Sequence, residues 1–397
     1  MKFDAPYKLP APWDRLPELG LKVAGGGLAV CLLGGFFLPG SMFPSYLVAF
    51  LFWIKISFGC LFALMVHYLV GGEWGFLIRR PLEAAVMTLP LMGLLFLPLL
   101  LGMHTLYPWT NAPADHVIEL KRAYLNVPFF VLRAAIYFGL WTFLAVALRW
   151  GSGQQEKTDD PRITWRLQTL SGPGVVLTFL AVTFALIDWG MSIEPHWFST
   201  MYPVMILIGG VLAALSAMVI TAAALGRVEP LTLMAKPNPF HDIGNLMLAF
   251  TMLWAYTSFS QYLIIWSGNL TEEIPWYLVR SEHGWRYVAG VIMVFHFFVP
   301  FFLLLFRMNK RLSQNLWRIG AWLLVMQWIN DIWLIVPGVH SATWWATPVF
   351  LIAALAGVGG LWVAVFSWML AQRSLMPPPR RDPLLAEALA HAHHAEH

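Results

Sequence analysis

Apolar stretches long enough to cross a bilayer recur ten times along the chain, at about 21 to 38, 45 to 70, 82 to 103, 125 to 149, 171 to 190, 201 to 225, 242 to 267, 285 to 306, 315 to 336 and 344 to 370. A helix rises 1.5 Å per residue and needs about 20 apolar residues to span the hydrocarbon. The pattern therefore predicts an all-α polytopic membrane protein of about ten transmembrane helices. Connections between the stretches are short, the longest being expected at 104 to 124 on one face and 150 to 170 on the other. The expected organisation is an N-terminal segment over 1–20, a ten-helix domain over 21–370 and a tail over 371–397. With no soluble domain, any function lies in the spans or in partners.

Composition agrees: 59% of residues are hydrophobic and 12% charged, about half the roughly 25% charged share of a soluble domain. Charge adds a direction. If both termini lie on one face, that face carries 19 of the 25 Lys and Arg residues, from Lys2 to Arg381, and the other has only Lys121, Arg122, Arg280 and Arg286. Loops rich in Lys and Arg stay cytoplasmic, so both termini are expected inside the cell. The net charge of +4 then reports topology rather than nucleic-acid binding. The first twenty residues mix charge signs and prolines, unlike a cleavable signal peptide, and are expected to be retained. Cys31 and Cys60 both fall in spans. Two cysteines give neither a four-thiolate cluster site nor a CxxCH haem motif, so no intrinsic cofactor is expected.

Span five ends ALIDWGMSIEPHW and span nine ends WINDIWLIVPGVH, each placing Asp, Trp, Pro and His in the same order near one mouth. Either this is chance, or spans two to five and six to nine are parallel-related four-helix bundles with spans one and ten peripheral. In the tail, Asp382 with Pro383 forms a helix start followed by a small apolar face and His391, His393, His394 and His397. A partner-docking or solvated tail and a metal site are both open readings, the first being the commoner.

The polar residues inside the membrane carry the functional argument, because an ionisable group there usually faces the bundle interior with a partner. Lys55 and Arg133 are the two cations inside spans, and Asp188 and Asp331 lie at similar expected depth in the outer half. Ion pairing is the simplest expectation, either to fix helix register or to build a protonatable site with Glu194 and His196, where a quinol headgroup or a proton exit is served. On the inner side His67, Glu83 and Asp242 fall near helix ends beside Arg79 and Arg80, an interfacial placement that also suits an inner proton mouth. His296 stands alone at the middle of span eight, which argues against bis-histidine haem ligation. Thr251, Ser258 and Tyr262, flanked by Trp254 and Gln261, form one polar stripe of span seven, for a water file or for bonds to neighbouring helices. Pro90, Pro98 and Pro128 are potential helix breaks.

The segment DWGMSIEPHWFSTMY at 188 to 202 resembles the membrane subunits of bacterial alternative complex III, a quinol:cytochrome c oxidoreductase whose large membrane subunits belong to the polysulfide-reductase (NrfD/PsrC-like) superfamily. HYLVGGEWGFLIRRPLEAA from 67, KRAYLNVPFFVLRAAIYF from 121, DIGNLMLAFTMLWAYTSFSQYLIIWSGNLTEEIPWY from 242 and the DPLLAEALAH tail extend the likeness over most of the chain. Of the two such subunits in that complex, it resembles the second, the ActF group. The resemblance implies ten helices in two bundles, residence in the bacterial inner membrane, and a role in scaffolding and proton conduction, with quinol oxidation more firmly tied to the sister subunit. It implies as partners a second NrfD-like membrane subunit, an iron–sulfur protein, multihaem and monohaem cytochromes c, small membrane subunits, a terminal oxidase and lipids. Iron–sulfur clusters and c-type haems belong to those partners. The carry-over to Asp188 and His196 rests on the matched motif; Lys55, Arg133, His296 and Asp331 are singled out by burial and charge alone. A secondary transporter and a purely structural membrane anchor are the competing readings.

Overall fold

The computed structural model describes residues 9–111, 115–158, 160–229, 231–339 and 345–375. Asp382 and the tail histidines lie outside the described residues. Ten long helices follow the ten apolar stretches: α1 (Leu16–Phe37), α2 (Pro39–Val70), α3 (Glu73–Leu101), α4 (Val127–Gln155), α5 (Pro161–Trp189), α6 (Met201–Leu225), α7 (Pro237–Gly268), α8 (Trp285–Leu305), α9 (Ser313–Ile335) and α10 (Thr347–Ala371). The described residues contain no strand. Nine of these helices are long and apolar enough to cross a membrane. The other, α7, has 32 residues and carries the polar stripe that dilutes its apolarity. It runs the full thickness nonetheless: Asn245 near its start bonds Lys310 beyond the end of α8, and Gln261 near its end bonds Ser199 at the start of α6. The chain is an all-α, multi-pass membrane protein. The face holding the start of α1 and the end of α10 is called proximal here, the other distal.

Burial orders the helices. The apolar windows of α2 and α6 are 89% and 83% buried, against 28% for α1 and 22% for α8. α2 packs on α3 and α5, α4 on α5, and α6 on α7 and α9, with α8 closing the second group against α7 and α9. These are two four-helix bundles, α2–α5 and α6–α9, joined where α2 meets α6. α1 pairs with α10, and that pair docks on α2. The expected bundle assignment and the two peripheral helices are thus observed. Small residues permit the close approaches, as lipid offers no hydrophobic drive between helices. Gly59 of α2 lies against the Gly210 carbonyl of α6, while Gly20 and Gly27 of α1 lie against Gly357 and Gly360 of α10.

Two local expectations are corrected. No long connection runs over 150 to 170, because α4 continues to Gln155 and α5 starts at Pro161. Asp160 caps α5 by accepting from the Arg162 N–H at 2.9 Å, with Pro161 in the first helical position. These helix ends carry Gln, Arg and Thr residues, which hydropathy alone reads as loop. α3 is interrupted after Val86 and again at Phe96, each new segment beginning with proline in its first turn. Pro128 breaks nothing, since it sits in the first turn of α4, where Asn126 caps by accepting from the Phe129 N–H at 2.9 Å.

Candidate functional site

A buried pair of charges meets between the bundles. Lys55, at the middle of α2 and 1% exposed, places its Nζ 2.7 Å and 2.6 Å from the two carboxylate oxygens of Asp331 on α9. The same Nζ donates to Gln327 Oε1 at 2.9 Å, one helical turn before Asp331. Gln327 Nε2 lies 3.0 Å from His296 Nε2. This geometry orders the protons. Because the Gln327 oxygen accepts from Lys55, its NH2 faces His296 and can only donate, so His296 Nε2 is the acceptor and its ring proton sits on Nδ1. His296 is fully buried, edge-on to Trp254 at 4.0 Å between ring centroids. It rides on a π-helical turn, Met293–Phe298, a distortion that often marks functional positions in helices. Its Nδ1 has no hydrogen-bond partner among the described residues.

Arg133 and Asp188 form a second pair inside the first bundle. The guanidinium engages both carboxylate oxygens at 2.8 Å, and the Tyr137 hydroxyl donates to the same carboxylate at 3.0 Å. Arg133 also donates to the Tyr124 carbonyl at 2.9 Å and lies over the Tyr124 ring at 3.8 Å. This fork-to-fork geometry fixes orientation as well as charge. The sequence motif thus delivers Asp188 to α4 rather than to its own loop neighbours. Glu194 instead accepts from Arg280 at 2.7 Å, and Arg280 also donates to the Leu334 carbonyl at 2.7 Å, tying the 188–202 segment to the second bundle. His196 is exposed and lies 2.8 Å from Asp115 in the distal loop. Asp188, Glu194 and His196 therefore have three separate partners.

On the proximal side Glu83 lies in a buried cluster of charges. Glu83 is 1% exposed, contacted by Arg79 at 3.1 Å, Arg80 at 2.5 Å and Arg373 at 3.7 Å, and accepts from Ser152 at 2.6 Å. Arg79 bonds Gln155 as well. Arg149 donates to the carbonyls of Glu83 and Met369 at 3.2 and 2.9 Å, so the cluster clamps α3, α4 and α10 together. The charges of the RRPLE segment point inward because two arginines at i−4 and i−3 neutralise the glutamate on the same helix face. His67 is also fully buried, packed edge-on against Phe76 at 4.6 Å. Asp242 is half exposed, with His241 at 3.8 Å.

The polar stripe of α7 divides. Thr251 bonds back to the Met247 carbonyl at 2.8 Å, Gln261 bridges Ser199 at 3.0 Å and Tyr277 at 3.2 Å, and Ser258 and Tyr262 line a cavity. Gln327, Tyr137 and Arg280 escape a search for charges in spans. Two of them had a signal: Gln327 is four residues before Asp331, and Tyr137 four after Arg133, each on the same helix face as its charged neighbour. No three His, Cys, Asp or Glu side chains converge as a metal site among the described residues. No protein-family model matches the chain, and no curated protein matches it significantly.

Proposed function

We propose that this chain is an integral membrane subunit of a respiratory quinol:cytochrome c oxidoreductase of the alternative complex III type, supporting quinol oxidation and offering protons a route between the faces. The observation that carries this reading is the buried group Asp331–Lys55–Gln327–His296, set between two bundles in the bilayer interior. An ionisable group inside a span is a functional-site hypothesis by default, proton relays among them, once its partner is named. Here a carboxylate, an amine and an imidazole lie within hydrogen-bond reach of one another through a single amide. A proton arriving at His296 Nε2 displaces the Gln327 N–H, and rotation of that amide turns its oxygen to the imidazolium and its NH2 to Lys55, which accepts that N–H only by passing one of its own protons onward. One cation then balances Asp331 before and after the step. The likeness of residues 188 to 202 supplies the reaction class, and the Lys and Arg bias supplies the orientation: the proximal face is cytoplasmic, in a bacterial inner membrane. Quinol is the substrate of the complex, and clusters and haems sit on partner subunits at the distal face.

The test is mild-detergent purification with subunit mass spectrometry and a reduced-minus-oxidised optical spectrum. Co-purifying multihaem c-type cytochromes and an iron–sulfur protein are the expected result. A colourless, solitary protein under conditions that preserve respiratory complexes would retire the proposal. Lys55→Met paired with Asp331→Leu separates conduction from anchoring: proton release per quinol falls with the complex intact if the charges conduct, and is unchanged if they only lock helices.

A further inference from the structure

Between α7, α8, α9 and the short distal helix Pro275–Val279 lies a cavity of about 750 Å3, within the size range of small-molecule sites. Tyr256 and Phe259 of α7 and Met293 and Phe298 of α8 line it and are also exposed on the membrane-facing surface, so it opens sideways into the bilayer. Its distal end is Arg280, Ser281 and Arg286; its deep end is Trp254 and Phe297. Along α8, the walls run from Arg286 to Phe298, about 18 Å at 1.5 Å per residue. That is about the depth of one leaflet's hydrocarbon with the edge of its headgroup zone.

The polar groups at this cavity are donors short of acceptors. Arg280 is 2% exposed and its Nε has no partner among the described residues, nor do the indole N–H groups of Trp254 and Trp333 or the Ser258 hydroxyl. Ser258 differs here from Thr251 and Thr257, which bond back to carbonyls of their own helix. These unpartnered atoms are closed off from the cavity space, so the polar contacts open to an occupant are those of exposed Ser281 and Arg286 at the distal end, which suit ester and phosphate oxygens. The lining holds no Asp, Glu, His or Lys. A quinol oxidised there would have no base to take its protons, so the cavity suits an amphiphile that does not react.

We propose that this cavity holds one phospholipid of the distal leaflet, an acyl chain between α7 and α8 and its phosphodiester beside Arg286. The inference needs only the membrane fold and is independent of electron transfer. The full chain is placed in nanodiscs of phosphatidylethanolamine and phosphatidylglycerol carrying a small share of diazirine-tailed phospholipid, irradiated and mapped by mass spectrometry. Adducts on 252–262 and 289–298 should exceed those on lipid-facing Phe36 and Phe37 of α1 by about ten-fold, the ratio that about 1.4 kcal/mol of preference gives. Gly290→Trp fills the cavity, since a Cβ at Gly290 meets nothing within 4 Å, and should bring those adducts down to the α1 level. Arg286→Gln, at an exposed position, should lower them with folding untouched. Equal adduct yields on cavity and α1 in the wild-type chain would overturn the proposal. So would recovery of an isoprenoid quinone, in place of phospholipid, at one per chain and its loss in Gly290→Trp.

Discussion

Lys55 and Asp331 are each buried away from water, so each depends on the other for its charge. Removing one partner leaves an uncompensated ion: Lys55→Met or Asp331→Leu alone should cost about 3–5 kcal/mol, and the double replacement should recover most of it. Thermal unfolding in detergent measures this cycle; single variants as stable as the parent would mean that water reaches the pair. Asp115 offers a contrasting case outside the spans. Burial pushes its carboxyl up, but donation from the Ile118 N–H, His196 and the Val117 N–H outweighs this and holds it below the usual carboxylate value. A carboxyl depressed on folding adds stability that is complete above its unfolded pKa of about 3.9. That stability is lost as pH falls through the lower folded value. Hydrogen-exchange protection of the Val117 and Ile118 amides, corrected for intrinsic rates, should therefore drop between about pH 5 and pH 3, and Asp115→Asn should abolish the slope.

Helix contacts turn on where side chains are missing. A Cβ at Gly59 would run into the Gly210 carbonyl, which is backbone and cannot swing aside, so α2 and α6 must separate to accept it. Gly59→Leu should lower stability by about 1–3 kcal/mol or more, as overpacking of a close interface does. Gly139→Leu on α4, where an added Cβ meets nothing within 4 Å, is the matched control and should leave the unfolding temperature unchanged. The same reasoning explains the interrupted α3. Pro90 and Pro98 each begin a new helical segment, so these breaks fall where the lost N–H bonds would have been unmade in any case.

The assembled chain has a polarity that labelling can read. If the Lys and Arg bias sets orientation, Arg122→Cys in the distal loop should react with an impermeant maleimide added to intact cells, and Lys157→Cys should not; both native positions are exposed. Cys31 and Cys60 are buried and should give little background. The reverse pattern would place the proximal face outside and exchange the two mouths of the proposed route.

Local composition sufficed for the ten helices and for Lys55, Arg133, Asp188 and Asp331 as charges inside spans, because the cost of placing a residue in hydrocarbon is nearly additive along the chain; the two bundles were only one reading of the echo between spans five and nine. Even the depth match between Lys55, Arg133, Asp188 and Asp331 followed from counting residues. Partnership did not. Asp331 lies 276 residues from Lys55 and Arg133 only 55 from Asp188; depth alone allowed either carboxylate for either cation, and only the contact of α2 with α9 and of α4 with α5 chose between them. The sequence places Glu83 near the inner end of its span, but its enclosure comes from elsewhere in the chain, since Arg373 and Ser152 reach it. The link from Gln327 to His296 and the cavity beside Ser258 exist only once α7, α8 and α9 stand side by side, because a hydrogen bond or a void is a property of neighbours and not of any single helix.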